Sequence, residues 1–237
     1  MDGAIAVIGA GGAIGGALTR ALAGRYPGAA LHAFARRVPG SPVAGAAHHS
    51  LADYVDEDAM ARAAGMAEAW GLVIVATGIL HGPGLRPEKA LRDISGPALA
   101  RVLAANTVAP ALAAKHFVPR LARGRRAVFA ALSARVGSIS DNRLGGWYAY
   151  RASKAALNMV LKTASIEAAR RNPGAIIVGL HPGTVDSPLS RPFQGAVPDG
   201  GLRTPDAAAA ALLDVLDGLT PADTGRCFAW DGQEVPP

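Results

Sequence analysis

The chain has 237 residues, a length that suits one α/β domain or two small ones. Half of the residues are hydrophobic and only 18% are charged, which argues against a disordered chain. The net charge of +6 comes with no helix-turn-helix, zinc-ligand or stacking-aromatic pattern, so we do not expect a nucleic-acid partner. The single cysteine, Cys227, excludes an internal disulfide and fits a reducing compartment.

Apolar runs of about five residues alternate with helical patterns along the chain. The runs are continuous, as expected for parallel strands that are covered on both faces. The pattern predicts an α/β fold, a doubly wound parallel sheet with helices on both faces, in a single domain over residues 1–237. Predicted strands cover residues 4–8, 30–35, 72–76, 126–132, 175–180 and 227–230, and predicted helices cover 17–24, 56–70, 97–121, 148–171 and 205–216.

Location and long loops can also be read from the chain. The N-terminus has no basic region or cleavage site, and no apolar run approaches ~20 residues, so we expect a cytoplasmic protein with no membrane span. Residues 187–204 are rich in Gly and Pro and fit either an active-site lid or a plain connection.

A glycine-rich turn, Gly-Ala-Gly-Gly-Ala-Ile-Gly, follows the first predicted strand and opens the first helix. Glycines let the backbone approach a pyrophosphate, and the helix N-terminus offers free N–H groups to the anion. The usual G-x-G-x-x-G spacing fails because Ile14 holds the sixth place, and the turn instead reads Gly9-x-x-x-Ala13-x-Gly15. We assign dinucleotide contacts to Gly9, Gly11, Gly12 and Ile14.

Arg36 and Arg37 come directly after Ala35, at the end of the second predicted strand. A fold that binds NAD usually places Asp or Glu here, to bond the ribose 2′-hydroxyl. Two arginines instead favour the additional 2′-phosphate through charge-assisted hydrogen bonds. The sequence therefore predicts NADP(H) in preference to NAD(H).

Tyr150 and Lys154 lie four residues apart near the start of a long predicted helix, so their side chains share one face. A fixed cation near a phenol favours the tyrosinate, and we expect Lys154 to lower the pKa of Tyr150. Such a phenol could give a proton to a carbonyl oxygen or take one from an alcohol.

These motifs, in this order along essentially the whole chain, resemble the short-chain dehydrogenases/reductases (SDR). The resemblance rests on GAGGAIG, an Asn in a long helix, a strand ending in Ser, YRASK, and a strand leading into HPGTV. The stretch SARVGSISDNRLGGWYAYRASKAALN is similar to the C-factor or sniffer-type carbonyl reductase branch. The resemblance implies a Rossmann-type fold and a homodimer or homotetramer formed through the long central helices.

The resemblance also implies roles for individual residues. The acid/base falls on Tyr150, its lysine on Lys154, and the asparagine of a proton relay on Asn106. The family's NNAG stretch here reads Val-Ala-Thr-Gly and keeps only its glycine. The remaining implied cofactor contacts are Asp53 near the adenine, Ala76 and Gly78 in that stretch, and Pro182, Gly183 and Val185 of the PG motif.

The catalytic serine is ambiguous. Its role is to donate a hydrogen bond to the substrate oxygen. Ser133, which closes the strand predicted over residues 126–132, is our first choice. The strict family register falls one place later, on Ala134, and Ser138 is the alternative.

Two functions from different classes follow. The first is an enzyme that reduces a small or medium aldehyde or ketone with NADPH; the second is a nucleotide-binding signalling or regulatory protein with little turnover. The complete set of Asn106, Tyr150 and Lys154 favours the enzyme. No metal-ligand spacing and no G-x-S-x-G hydrolase motif is present in the sequence. Trp147 and Trp230 are candidates for lining the substrate pocket or for plain packing.

Overall fold

The computed structural model describes residues 3–198 and 200–237. Helices and strands alternate, as the apolar pattern predicts. The strands are β1 (Ala4–Ile8), β2 (Leu31–Ala35), β3 (Ala46–Ser50), β4 (Trp70–Val75), β5 (Ala127–Leu132), β6 (Ala175–His181), β7 (Thr184–Val185), β8 (Leu202–Arg203) and β9 (Cys227–Ala229). The helices are α1 (Ala13–Arg25), α2 (Glu57–Ala64), α3 (Gly96–Leu103), α4 (Ala109–Phe117), α5 (Tyr148–Ala169) and α6 (Pro205–Gly218).

Seven strands form one parallel sheet in the order β3-β2-β1-β4-β5-β6-β9. The chain builds outward from β1 in one direction and from β4 in the other. Their carboxyl ends therefore flank the switch point at which such sheets bind ligands. The predicted Rossmann-type, doubly wound fold is confirmed.

Each face of the sheet carries its own apolar core. On one face, Phe117 of α4 and Leu157 and Leu161 of α5 pack on the strands; on the other, α1 and α6 contribute residues such as Leu18 and Leu212. These five side chains are almost fully buried. The helices are thereby fixed to the sheet, and their ends are held at its carboxyl edge.

The structure corrects three details of the predicted elements. The edge strand β3 was missed because its sequence, Ala-Ala-His-His-Ser, lacks an apolar run. The helix predicted over 56–70 ends at Ala64, and β4 already begins at Trp70. The long helix predicted over 97–121 is interrupted by a π-helical segment, Ala104–Val108, that precedes Pro110.

One helical stretch of the described chain, Gly96–Arg120, is long and apolar enough to cross a membrane, by length and composition only. Core helices pass the same test, and Val102, Ala113 and Phe117 from this stretch are buried inside the protein. The stretch is therefore weak evidence for a membrane span.

Candidate active site

Tyr150 and Lys154 lie in the first two turns of α5, at the carboxyl edge of the sheet. The Lys154 ammonium is 5.8 Å from the centroid of the Tyr150 ring and donates a hydrogen bond of 2.7 Å to the carbonyl of Leu132 at the end of β5. Burial lowers the pKa of Lys154 to about 8. It therefore carries its charge at neutral pH.

The phenol differs from the sequence-based expectation. Burial raises the pKa of Tyr150 to about 12, so desolvation outweighs the expected effect of the Lys154 cation. The phenol is protonated at neutral pH. In this state it is suited to donate a proton to a carbonyl oxygen.

Asn106 sits in the π-helical segment and is completely buried. Its amide nitrogen donates to the carbonyl of Ile79 at 2.9 Å and to the hydroxyl of Ser153 at 3.0 Å, and its amide oxygen accepts from the N–H of Ile79 at 2.8 Å. A methyl group added to Gly78 would lie 3.4 Å from the Asn106 oxygen and 3.7 Å from the Lys154 ammonium. Asn106, Gly78 and Lys154 are therefore neighbours, as the motif order suggests.

The two candidate serines are both buried and both bonded within the protein. The Ser133 hydroxyl donates to the side-chain oxygen of Asn158 on α5 at 2.6 Å. The Ser138 hydroxyl donates to the carbonyl of Pro237 at 3.3 Å and accepts from the N–H of Asp141 at 3.0 Å. Ala134, where the strict register falls, has no hydroxyl.

Replacing Ser133 with alanine should lower kcat by less than about tenfold. Loss of a hydrogen-bond donor to the reacting oxygen lowers kcat roughly 100- to 1,000-fold. The Ser133 hydroxyl, however, already donates its hydrogen bond to Asn158. Steady-state kinetics of Ser133→Ala and Ser138→Ala, side by side, check this. A loss above about 100-fold in one variant alone would identify that hydroxyl as the substrate donor.

The glycine-rich turn has the close packing that a phosphate-binding turn needs. Gly9 adopts a φ of +96°, and a methyl group there would lie 2.9 Å from the backbone of Ala76. Gly12 is the N-cap of α1 and provides no side-chain cap. The amides of the first helical turn, which includes Ile14, have no acceptor within the helix. Gly15 touches Gly9 so closely that a methyl group would fall 2.1 Å from the Gly9 oxygen.

The arginine pair lies beside this turn. Arg36 and Arg37 directly follow β2 and are exposed, and a methyl group on Gly11 would lie 4.0 Å from the Arg37 carbonyl. In the described part of the chain, neither guanidinium forms an ion pair. Asp53 follows β3 and is exposed, with its carboxylate accepting from the N–H of Val55 at 3.0 Å.

The residues present fit a dinucleotide along this edge. Thr77, two residues after β4 and next to Gly78, has a buried hydroxyl with no hydrogen-bond partner among residues 3–198 and 200–237. An unpaired buried hydroxyl costs free energy, and a polar ligand group at this edge would satisfy it. The open N-terminus of α1, the unpaired Arg36 and Arg37, and the Thr77 hydroxyl together match the phosphates and ribose of such a cofactor.

The PG motif lies after β6. Gly183 adopts a φ of +75°, and a methyl group there would lie 2.9 Å from the ring of Trp230. The Arg203 guanidinium stacks on that ring, 3.1 Å from its centroid. Val185 lies in β7 and pairs with Arg203 of β8. This pairing brings the later β8 segment back beside the PG motif. Trp230 therefore packs directly against Gly183 of the motif.

The segment after β7 lies near Tyr150. The Phe193 ring packs edge-to-face on Trp147 at 5.1 Å between centroids, and Trp147 packs on Tyr150 at 6.2 Å. Phe193 also contacts His81, whose ring nitrogen is 3.0 Å from the carbonyl oxygen of Pro188. These aromatic side chains form an apolar wall at the phenol.

Several residues of the site were missed in the sequence. Gly15 and Thr77 lie within recognised motifs and could have been chosen by position. Phe193, Asn158 and Glu88 carry no local signal, because their partners are Trp147, Ser133 and the start of α5, all distant in sequence.

The fold and this constellation define a nucleotide-binding α/β oxidoreductase. A family model described as short chain dehydrogenase matches residues 3–196, and the chain belongs to this family. This confirms the predicted family.

Individual relatives refine the likeness. The chain is 37% identical over 147 residues to the C-signal protein of Myxococcus xanthus, a match covering 62% of this chain and 83% of that protein. It is 36% identical to 1-hydroxy-2-glutathionyl-2-methyl-3-butene dehydrogenase of Rhodococcus sp., over 56% of this chain and 55% of that protein. The NADPH-bound carbonyl reductase from chicken fatty liver superimposes with a TM-score of 0.83 at 25% identity, over 98% of each chain. The predicted C-factor and sniffer-like character agrees with these similarities.

Proposed function

We propose that the protein is an NADP(H)-dependent reductase that converts an aldehyde or ketone to an alcohol, with Tyr150 as its acid/base. The observation that carries the proposal is the half-buried Tyr150, whose phenol is protonated at neutral pH, beside the Lys154 ammonium and close to the buried Asn106. The bound cofactor would supply the hydride to the carbonyl carbon. The family and the carbonyl reductase neighbours support this reaction class.

The chain's own residues would supply the proton, stabilise the tyrosinate and exclude water. Tyr150 donates its proton to the developing alkoxide, and the Lys154 ammonium stabilises the tyrosinate that this leaves. Lys154 would also bond the nicotinamide ribose of the bound cofactor. Asn106 holds the Ile79 backbone through two hydrogen bonds and shapes the path by which Tyr150 regains a proton. Trp147 and Phe193 exclude water from the reacting oxygen.

The cofactor would lie across the carboxyl edge of the sheet. Gly9, Gly11, Gly12 and Ile14 would hold the pyrophosphate, Asp53 and Ala76 the adenosine side, and Gly78, Pro182, Gly183 and Val185 the nicotinamide side. Arg36 and Arg37 would bond the 2′-phosphate, which makes NADP(H) the preferred form. The NADPH in the chicken carbonyl reductase supports this assignment.

Replacing Arg36 and Arg37 together with alanine should raise the Kd for NADPH by about 100-fold or more and leave that for NADH within about threefold. Each lost charge-assisted hydrogen bond is worth roughly 1.5–3 kcal/mol, and only NADPH carries the phosphate that accepts it. Fluorescence titration with both cofactors measures the ratio. The adjacent, exposed pair Arg170 and Arg171 at the far end of α5, replaced in the same way, is the control. Equal weakening of both cofactors would contradict the assignment.

The direct test is NADPH oxidation on a panel of aldehydes, ketones and quinones, with NADPH binding measured on the same preparation. Turnover on any carbonyl supports the reductase. The similarity to the C-signal protein favours a second candidate, a nucleotide-binding signalling or regulatory protein. NADPH binding without turnover on the whole panel would favour that candidate.

We also propose a cytoplasmic homodimer or homotetramer. Its interface would use the outer face formed by α4, α5 and the π-helical segment, where Val108, Met159 and Ile166 are exposed.

A further inference from the structure

The backbone that leads into α5 has an unusual conformation. Gly145, Gly146 and Trp147 are consecutive residues with φ values of +65°, +63° and +51°. Glycine adopts this left-handed region freely, whereas a side chain with a Cβ atom is strained there. Within residues 3–198 and 200–237, Trp147 is the only non-glycine residue with positive φ. Surrounding contacts must therefore hold it.

Those contacts come from Glu88, in the loop that follows β4. Its carbonyl oxygen accepts the N–H of Trp147 at 2.6 Å, and its carboxylate accepts the N–H of Ala149 at 3.1 Å. Glu88 is only 4% exposed. The N-cap residue of α5, Trp147, makes no side-chain capping bond, so the distant Glu88 caps the helix in its place. Its carboxylate also lies at the positive end of the helix dipole.

The turn that Glu88 holds contains the reacting group. Tyr150 is the third residue of α5, and its ring packs on the Trp147 indole at 6.2 Å. Arg151 also stabilises the backbone before α5, since its guanidinium donates to the carbonyls of Gly145 and Gly146 at 3.2 and 3.1 Å. A shift of the first turn of α5 would therefore move the phenol and the aromatic wall together.

We propose that Glu88 is a positioning residue for the reduction: its carboxylate holds the first turn of α5 through the N–H of Ala149, next to the bond from its backbone carbonyl to the left-handed Trp147, and thereby positions the phenol of Tyr150. This inference rests on the proposed function of Tyr150. Glu88 acts through the N–H groups of Trp147 and Ala149 and makes no contact with the substrate.

The test compares Glu88→Ala, Glu88→Gln and Glu88→Asp, with the exposed Glu68→Ala as the matched control. Misplacing a catalytic group by about 1 Å costs up to roughly 100-fold in rate, so Glu88→Ala should lower kcat by about 10- to 100-fold. Glu88→Gln keeps an oxygen that can accept the Ala149 N–H and should stay within about threefold of wild type. Glu88→Asp keeps the charge but is too short to reach, and should lie well below Glu88→Gln. The NADPH Kd should stay within about twofold of wild type throughout.

Two results would overturn the proposal. One is a wild-type kcat for folded Glu88→Ala, whatever its melting temperature, since that shows a purely structural role. The other is a kcat for Glu88→Asp equal to that of Glu88→Gln, and this comparison decides the matter if Glu88→Ala does not fold.

A readout without turnover separates this inference from the proposed function. The near-UV circular dichroism of the Trp147–Tyr150 pair is isolated as the difference between wild type and Trp147→Phe. That signal should disappear in Glu88→Asp and persist in Glu88→Gln. If the wild type reduces no carbonyl, the proposed function fails, and the dichroism still tests the positioning: an unchanged signal in Glu88→Asp overturns it.

Discussion

Replacing Tyr150 with phenylalanine should lower kcat for carbonyl reduction by about 1,000-fold while NADPH binding stays within about twofold of wild type. A positioned general acid contributes roughly 100- to 10,000-fold, and the substitution removes the acid alone. The phenyl ring keeps the edge-to-face contact with Trp147, so the pocket retains its shape. Stopped-flow or steady-state NADPH oxidation, together with a binding titration, measures both quantities.

The matched control is Tyr148→Phe, two residues earlier on the same helix. Tyr148 is 36% exposed and has no lysine four residues later, so its loss should leave kcat nearly unchanged. Substantial activity in Tyr150→Phe, above about a tenth of wild type, would mean that another group protonates the substrate. Equal losses in both variants would point to a general disturbance of α5.

The pH dependence of the reduction rate should report the charge state of Lys154. The pKa of Lys154 is lowered to about 8 by burial, and that of Tyr150 is raised to about 12. Lys154 is charged below its pKa and neutral above it. The reduction rate should therefore be flat at neutral pH and fall as the pH rises through about 8, long before the phenol ionises. Lys154→Met should be slow at all pH values and lack this decline.

The sequence predicts those features of the site that depend on local spacing. Tyr150 and Lys154 share a helix face because they are four residues apart, and the glycine turn follows the first strand directly. The direction of the Tyr150 pKa shift could not be predicted this way. It depends on how deeply the phenol is buried by the tertiary structure, and burial there outweighs the neighbouring charge.

Contacts between distant segments explain the rest of what the sequence does not reveal. Glu88 is 61 residues from Ala149, and Ser133 is 25 residues from Asn158. No periodicity links such pairs, because only the folded sheet brings the loop after β4 and the end of β5 against α5. The edge strand β3 was missed for a related reason: its half-polar sequence pairs with β2 through backbone hydrogen bonds, which leave little trace in side-chain pattern.

Replacing Gly15 with alanine should destabilise the protein by about 3 kcal/mol or more and lower its melting temperature by roughly 6–12 °C. The added methyl group would fall 2.1 Å from the carbonyl oxygen of Gly9 and 2.7 Å from its carbonyl carbon. Both atoms are backbone, so no rotamer change relieves the clash, and α1 must move away from the turn after β1. The N-terminus of α1 would then no longer point at the pyrophosphate, so NADPH affinity should fall together with stability. Thermal unfolding with and without NADPH measures both effects.

Gly24→Ala, near the end of the same helix, is the matched control. A methyl group there meets nothing within 4 Å, and alanine favours the helix by up to about 1 kcal/mol over glycine. This variant should be at least as stable as wild type and bind NADPH normally. If glycine-to-alanine lowers the free energy of unfolding at Gly15 but not at Gly24, the loss comes from the steric contact at the turn and not from helix propensity. A Gly15→Ala protein that melts and binds NADPH like wild type would show that the turn can open, and that the tight packing of Gly15 on Gly9 is not what aims the helix at the phosphates.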